Sequence, residues 1–282
     1  MRTLSWTTVI YDNSMNDYSF SILHLIDTHC HLDFEDFDAD RNDVWQHARE
    51  QTVTVLILPA TTCDRWPQVK SVAEMDANIY PAYGLHPSFM STHKDAHIDE
   101  LALWLDREKP VAVGECGLDF YNDKSNQKAQ LDLLDAQLAL ANERNLPVII
   151  HARKAVEDIL QLLRQHPGSR GVLHSYSGSF EQAKILMDLG FYFGFGGPVT
   201  WPRSTRLQAV VKKIPLAHIL LETDAPDQPD SAHKAQRNEP GFLPAIATFI
   251  AQLRKESIEK FSAQTTENAR MLFSLPDHQR KK

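Results

Sequence analysis

His29 and His31 stand two apart in the run IDTHCHLD (26–33), and side chains two apart on an extended chain project to the same side. Four further residues able to hold a metal fall at the ends of short apolar runs: Glu115 in VAVGECGLD, His151 in PVIIHAR, His174 in VLHSYSG and Asp224 in LLETDAP. Four imidazoles and two carboxylates supply the nitrogen and oxygen donors that suit Zn, Mn or a related divalent ion. Six donors are too many for one tetrahedral ion, and a pair of ions sharing Glu115 fits the count. Taken singly, each residue has an ordinary alternative. A lone His-x-His is more often a hydrogen-bonded pair, a carboxylate at a strand end often caps the next helix, and a histidine in an apolar run is usually a satisfied core residue. Coincidence of position overrides these readings, because all six end a predicted strand.

The elements that must position them are legible as alternating patterns. Strands are predicted over 23–29, 53–60, 79–84, 110–115, 147–151, 170–175, 190–196 and 218–224. Most are nearly continuous apolar runs, as expected of parallel strands covered on both faces. Helical spacing lies between them. Over 126–145, Leu131, Leu134, Leu138 and Ala141 mark one apolar face. Over 179–189, Ser179 and Gln182 fit a capping box and Gly190 follows as a stop. A helix-rich tail covers about 241–273. The alternation predicts an α/β fold, a (β/α)8 TIM barrel, with a doubly wound open sheet as the alternative. In a barrel the C-terminal strand ends converge on one rim, where active sites of this fold sit. Residues 22–275 read as one domain, 1–21 as a poorly ordered N-terminal extension outside it, and 276–282 as a polar tail.

Composition narrows the function classes. Of 282 residues, 43% are hydrophobic and 23% charged, a globular mixture that excludes a disordered chain. No apolar run approaches the roughly 18 residues of a membrane span, and the N-terminus lacks the layout of a signal peptide. Twenty-nine basic against 37 acidic residues leave a net charge of −8, which argues against coating duplex DNA through a basic surface. Three cysteines, Cys30, Cys63 and Cys116, are too few for a disulfide framework and point to the reducing cytoplasm. Cys30 and Cys116 adjoin candidate ligands in opposite strand phase and read as packing residues. No obligate protein partner is evident.

The ordered set IDTHCHLD (26–33), YGLHP (83–87), VGECGLD (113–119), PVIIHAR (147–153), VLHSYSG (172–178), LLETDAP (220–226) and RNEP (237–240) resembles the TatD-like metal-dependent hydrolases, a family of deoxyribonucleases among the amidohydrolase-type barrels. The resemblance runs from about residue 24 to 274. It implies a barrel with one metal held by His29, His31, Glu115 and Asp224 and a second held by Glu115, His151 and His174. No ligand position departs from that pattern, and the N-terminal twenty or so residues have no counterpart in it. Some barrels of the superfamily bridge their metals with a carbamylated lysine; here strand four offers Glu115 and no lysine between Pro110 and Glu115.

The chemistry expected is metal-activated hydrolysis. Two divalent ions (Zn, Mn or Mg) would clamp a phosphodiester, with Glu115 shared between them and Asp224 as general base. Together with Arg153 they would give an acidic protein a local positive well. Arg153, two beyond His151, is the candidate phosphate fork, with a salt bridge to a neighbouring carboxylate as its alternative. His86 after strand three is placed to touch substrate or brace its loop. Asp27 and Glu222 lie in phase with His31 and Asp224 and are expected to orient the ligands. Tyr121, Tyr176 and Trp201 fall in loops after strands and serve either to stack on bases or as buried anchors. The expected activity is a deoxyribonuclease of 3'-5' exonuclease type acting on DNA ends or short single strands. A small-molecule amidase or lactonase is the alternative, and a metal-binding protein without turnover a third reading.

Overall fold

The apolar runs become strands, each paired with its neighbours in sequence. The computed structural model describes residues 24–122 and 124–276. Its strands are β1 (Leu25–Asp27), β2 (Val53–Pro59), β3 (Ile79–Tyr83), β4 (Ala112–Asp119), β5 (Val148–Arg153), β6 (Gly171–Leu173), β7 (Phe191–Phe195) and β8 (Ile219–Leu221). They form one parallel sheet in the order β1 to β8. Helices intervene at α1 (Arg41–Glu50), α2 (Trp66–Ala73), α3 (Ala96–Glu108), α4 (Gln127–Glu143), α5 (Val156–Leu163), α6 (Phe180–Asp188) and α7 (Thr205–Lys213), and α8 (Leu243–Arg254) and α9 (Ile258–Phe273) follow β8. The capping box at Ser179 and Gln182 is formed. The sequential order rules out the doubly wound alternative, whose strand order must reverse.

The sheet comes round to its start at a seam of individual bonds. Thr28 N donates to Leu221 O at 3.0 Å, Asp224 N to His29 O at 2.8 Å and His31 N to Ala225 O at 2.8 Å. These bonds lie at the rim, so the backbone of two candidate ligand segments is tied together by the closure itself.

Alternation along the strands separates two apolar layers. Leu25, Leu56, Leu58, Val113 and Ile150 pack against the helices. Ile26, Val55, Ile57, Ala82, Ala112, Ile149, Val172 and Leu220 form a second cluster with Ala269, Leu272 and Phe273 of α9. One helix beyond the βα repeat therefore stops the inner layer with apolar side chains and leaves the opposite mouth for polar ones.

Four strand assignments need correction. The runs predicted over 23–29, 170–175 and 218–224 keep only three ladder residues each, so His29, His174 and Asp224 sit just past their strands. The chain turns there: Ser175 (φ +44°) and Asp224 (φ +58°) are left-handed, a conformation that ends a ladder. Strand four, predicted to stop at 115, runs on to Asp119, so Glu115 is mid-strand. The cause is close approach to β5. A Cβ on Gly117 would lie 2.1 Å from His151 O, so glycine lets the pair stay in register past Glu115.

Two glutamines on α4, seven apart, hold this rim from outside. Gln130 accepts from Asp119 N at 2.8 Å and donates to Asp119 O at 3.0 Å. Gln137, fully buried, does the same for Leu85, accepting from its N–H at 2.8 Å and donating to its C=O at 3.1 Å. The residue after Leu85 is His86. Gln137→Leu leaves that peptide unpaired in the interior and should cost about 1–3 kcal/mol. The urea midpoint should fall with an unchanged slope; an unmoved midpoint would show that the loop is held without Gln137.

The expected extension 1–21 and tail residues 277–282 lie outside the described residues.

Candidate metal centre

Glu115 is the middle of the site. Its Oε2 faces His29 Nε2 at 3.2 Å and His31 Nε2 at 3.5 Å. Its Oε1 faces His174 Nε2 at 2.7 Å, His86 Nε2 at 3.0 Å and His151 Nδ1 at 3.1 Å. Asp224 Oδ1 completes the first group, 3.5 Å from His29 Nε2 and 3.7 Å from His31 Nε2. All six predicted ligands therefore converge, and one carboxylate turns one oxygen to each histidine pair.

The donor spacing fits divalent ions. Metal–nitrogen bonds of about 2.0–2.1 Å in a tetrahedral shell set ligand nitrogens roughly 3.3 Å apart. His29 Nε2 and His31 Nε2 are 3.2 Å apart, as are His151 Nδ1 and His174 Nε2. Outer partners select the donor atoms. His31 Nδ1 donates to Pro59 O at 3.2 Å, freeing Nε2. His151 Nε2 donates to Asp119 Oδ2 at 3.1 Å, freeing Nδ1. His86 is the reverse case: its Nδ1 accepts from Ser88 N at 3.0 Å, so its proton sits on Nε2 and is donated to Glu115. His86 thus braces the shared carboxylate, a closer role than the loop or substrate contact expected of it.

Burial sets the electrostatics. It would raise Glu115, but the charges of His86, His174 and His29 outweigh it and hold the carboxyl well below its usual range. Burial also lowers His29, helped by His174. At His31, burial pulls down while Glu115 and Asp224 push harder, leaving it at about 9; His151 reaches about 9 in the same way through Asp119 and Glu115. Desolvation raises Asp224, takes Asp27 to about 7 and takes Glu222 to about 8. Burial is the main cause of all three upward shifts, and the nearby Asp224 charge adds to those of Asp27 and Glu222.

Asp27 and Glu222 act on neighbouring backbone. Asp27 accepts from Thr223 Oγ1 at 2.6 Å and from the N–H groups of Thr223 and His29, fixing both sides of the seam. Glu222 accepts from Ser175 N, and its Oε1 is 3.9 Å from His174 Nδ1. A Cβ on Gly194 would lie 2.0 Å from Glu222 Oε2, so a glycine makes room for this buried carboxylate.

Two residues escaped the sequence reading. Asp119 orients His151 and its carboxyl is held at about 2: burial opposes, and the His151 and Tyr121 N–H hydrogen bonds prevail. The signal was present, since 115, 117 and 119 share a phase on β4. Gln228 donates to Asp224 Oδ2 and, at 2.9 Å, to Ser175 Oγ. It had no signal, because a loop brings it there.

His31, Glu115, His151, His174 and Asp224, with Asp119 and Gln228, line a cavity of about 710 Å³. Arg153 lies at its edge, half-exposed, with its guanidinium stacked 3.6 Å from the Tyr121 ring centroid and 3.9 Å from Asp119 Oδ2. Tyr176 is a buried anchor donating to Ser179 O, and Trp201 is pinned to Pro229 O, whereas Tyr121 is exposed. Cys30 and Cys116 are buried, as expected of packing residues.

The family model described as TatD related DNase matches residues 26–274. The chain is 38% identical over 258 residues to an uncharacterised metal-dependent hydrolase, YjjV, of Escherichia coli strain K12, covering 90% of this chain and 100% of that one. It is 37% identical over 256 residues to an uncharacterised metal-dependent hydrolase, YabD, of Bacillus subtilis strain 168, covering 89% and 99%. The crystal structure of YjjV, a TatD homologue from E. coli K12, superposes with a TM-score of 0.87 at 37% identity over 90% of this chain and 100% of that one. No helix among the described residues is long and apolar enough to cross a membrane.

Proposed function

This chain belongs to the TatD-related DNase family of metal-dependent hydrolases, and we propose that it is a phosphodiesterase, a deoxyribonuclease of 3'-5' exonuclease type that trims DNA ends or short single strands. The observation that carries this reading is Glu115 dividing its oxygens between two histidine pairs beneath an open cavity. We assign one ion to His29, His31, Glu115 and Asp224 and another to Glu115, His151 and His174. When bound, such ions supply Lewis acidity at phosphorus and bring the pKa of water toward neutrality.

The chain's own residues do the rest. Asp224 takes the proton of the attacking water, at Oδ2, while Gln228 fixes the plane of the carboxylate. His86 keeps Glu115 aligned between the two pairs. Arg153 sits where a non-bridging phosphate oxygen would arrive, and its stack on Tyr121 leaves the fork edge available. A cavity of about 710 Å³ suits a terminal nucleotide, not a duplex, which accords with a net charge of −8. Free cysteines, both ligand-adjacent ones buried, accord with a cytoplasmic enzyme.

The deciding experiment loads the protein with Zn, Mn or Mg and compares single-stranded DNA, nicked duplex, p-nitrophenyl phosphodiesters, amides and lactones. Turnover of phosphodiesters supports the reading. Turnover confined to amides or lactones would replace it with the carbonyl hydrolase alternative. Arg153→Ala should cost about 1.5–3 kcal/mol in kcat/KM on a phosphodiester, with metal content unchanged. Arg153→Lys should keep part of the activity, because charge remains and the fork is lost. Equal loss on a neutral ester would mean that Arg153 supports the site and does not read phosphate.

A further inference from the structure

Three donors of different chemistry meet between the β2–α2 turn and the start of α3. Cys63 lies in the short turn Cys63–Arg65 that follows β2. His97 and Glu100 lie three apart near the N-terminus of α3 and so share a helix face. One donor atom from each falls within 4.8 Å of the other two, and Cys63 Sγ is 3.1 Å from Glu100 Oε2. His97 is buried, Cys63 is half-buried and Glu100 is exposed. We propose that Cys63, His97 and Glu100 form a metal site separate from the barrel centre, taking zinc or another thiolate-seeking divalent ion.

The donor set argues for the class of ion. Thiolate, imidazole and carboxylate together suit zinc and disfavour magnesium, which takes oxygen ligands. Zinc bonds of about 2.3 Å to sulfur and 2.0–2.2 Å to nitrogen or oxygen set neighbouring donors roughly 3.3–3.6 Å apart. The observed spacing reaches that with side-chain adjustments of tenths of an ångström on the Cys63–Glu100 edge. Two negative donors balance a divalent charge, and the exposed side at Glu100 leaves a fourth position to solvent. Burial and the adjacent Glu100 carboxylate push the Cys63 thiol up to about 12, with Asp64 adding to them and Lys94 opposing. A bound cation reverses that balance, since a coordinating thiol is deprotonated outright.

The site would clamp two segments that hold the rim. His93, four residues before His97, contacts His86 O through Nε2 at 2.8 Å, and His86 braces Glu115. An ion joining Cys63 to α3 therefore steadies the loop behind the main centre without entering it. The alternative is a plain thiol–carboxylate hydrogen bond, which needs no histidine and binds no metal.

Cobalt distinguishes them, because a thiolate-to-cobalt charge-transfer band in the near ultraviolet reports sulfur ligation alone. The ligands assigned to the main centre contain no sulfur. Titrating metal-stripped full-length protein with Co²⁺ should raise this band to saturation at about one equivalent of thiolate-bound ion. Cys63→Ser should abolish it, and Glu100→Gln should shift its appearance to higher cobalt. Both variants alter accessible side chains, and circular dichroism checks their fold. No band in the wild-type protein would overturn the proposal. So would a band that survives Cys63→Ser, since it would come from Cys30 or Cys116.

Discussion

Glu115→Gln should lower metal content at both halves of the barrel centre, from about two equivalents at that centre toward none. The reason is geometric. Oε2 faces His29 and His31, and Oε1 faces His151 and His174, so a neutral amide in this place weakens both sets of donors at once. It also removes the negative charge that would offset a divalent ion bound at either histidine pair. His174→Ala is the necessary comparison, because His174 serves only one of the pairs. Elemental analysis of the two variants, each made in a Cys63→Ser background and checked for folding by circular dichroism, should find one equivalent retained after His174→Ala. Equal metal content in the two variants would remove the shared-ligand assignment.

Asp224→Asn should lower kcat by on the order of 10²–10⁴-fold with little change in KM. Asparagine keeps an oxygen to offer toward His29 and His31, but it cannot take the proton from water. Gln228 donates to Oδ2 in the native protein, and an asparagine whose amide nitrogen turned that way would face another donor. The measurement is steady-state kinetics on a phosphodiester with metal content determined in parallel. Near-normal kcat at full metal loading would leave Asp224 as a ligand and assign the proton to another group.

The periodicity of the chain was sufficient for the fold class, a parallel α/β fold. Nearly continuous apolar runs require cover on both faces, and helices spaced between them leave a barrel or an open sheet. Six metal-binding residues near the ends of those runs were then sufficient to name the candidate ligands, because a repeating βα unit brings the strand ends to one rim. These are local properties, carried by residue type and spacing.

What the tertiary structure decided was every relation between residues distant in sequence. Closure into a barrel rests on the seam between Thr28 and Leu221 and between His29 and Asp224, which no single segment encodes. The length of β4 depends on how closely Gly117 lets β5 approach. His86 was visible as a rim residue, yet its hydrogen bond to Glu115 depends on Gln137 holding Leu85 from the buried face of α4. Arg153 was legible as a cation near the site, while its stack on Tyr121 and approach to Asp119 arise only when two strand ends meet. Gln228 had no pattern to betray it, since a loop carries no period. Period and residue type reveal which side chains face a rim; side-chain contacts across that rim depend on angstrom-scale packing between segments, and only the folded chain sets that scale.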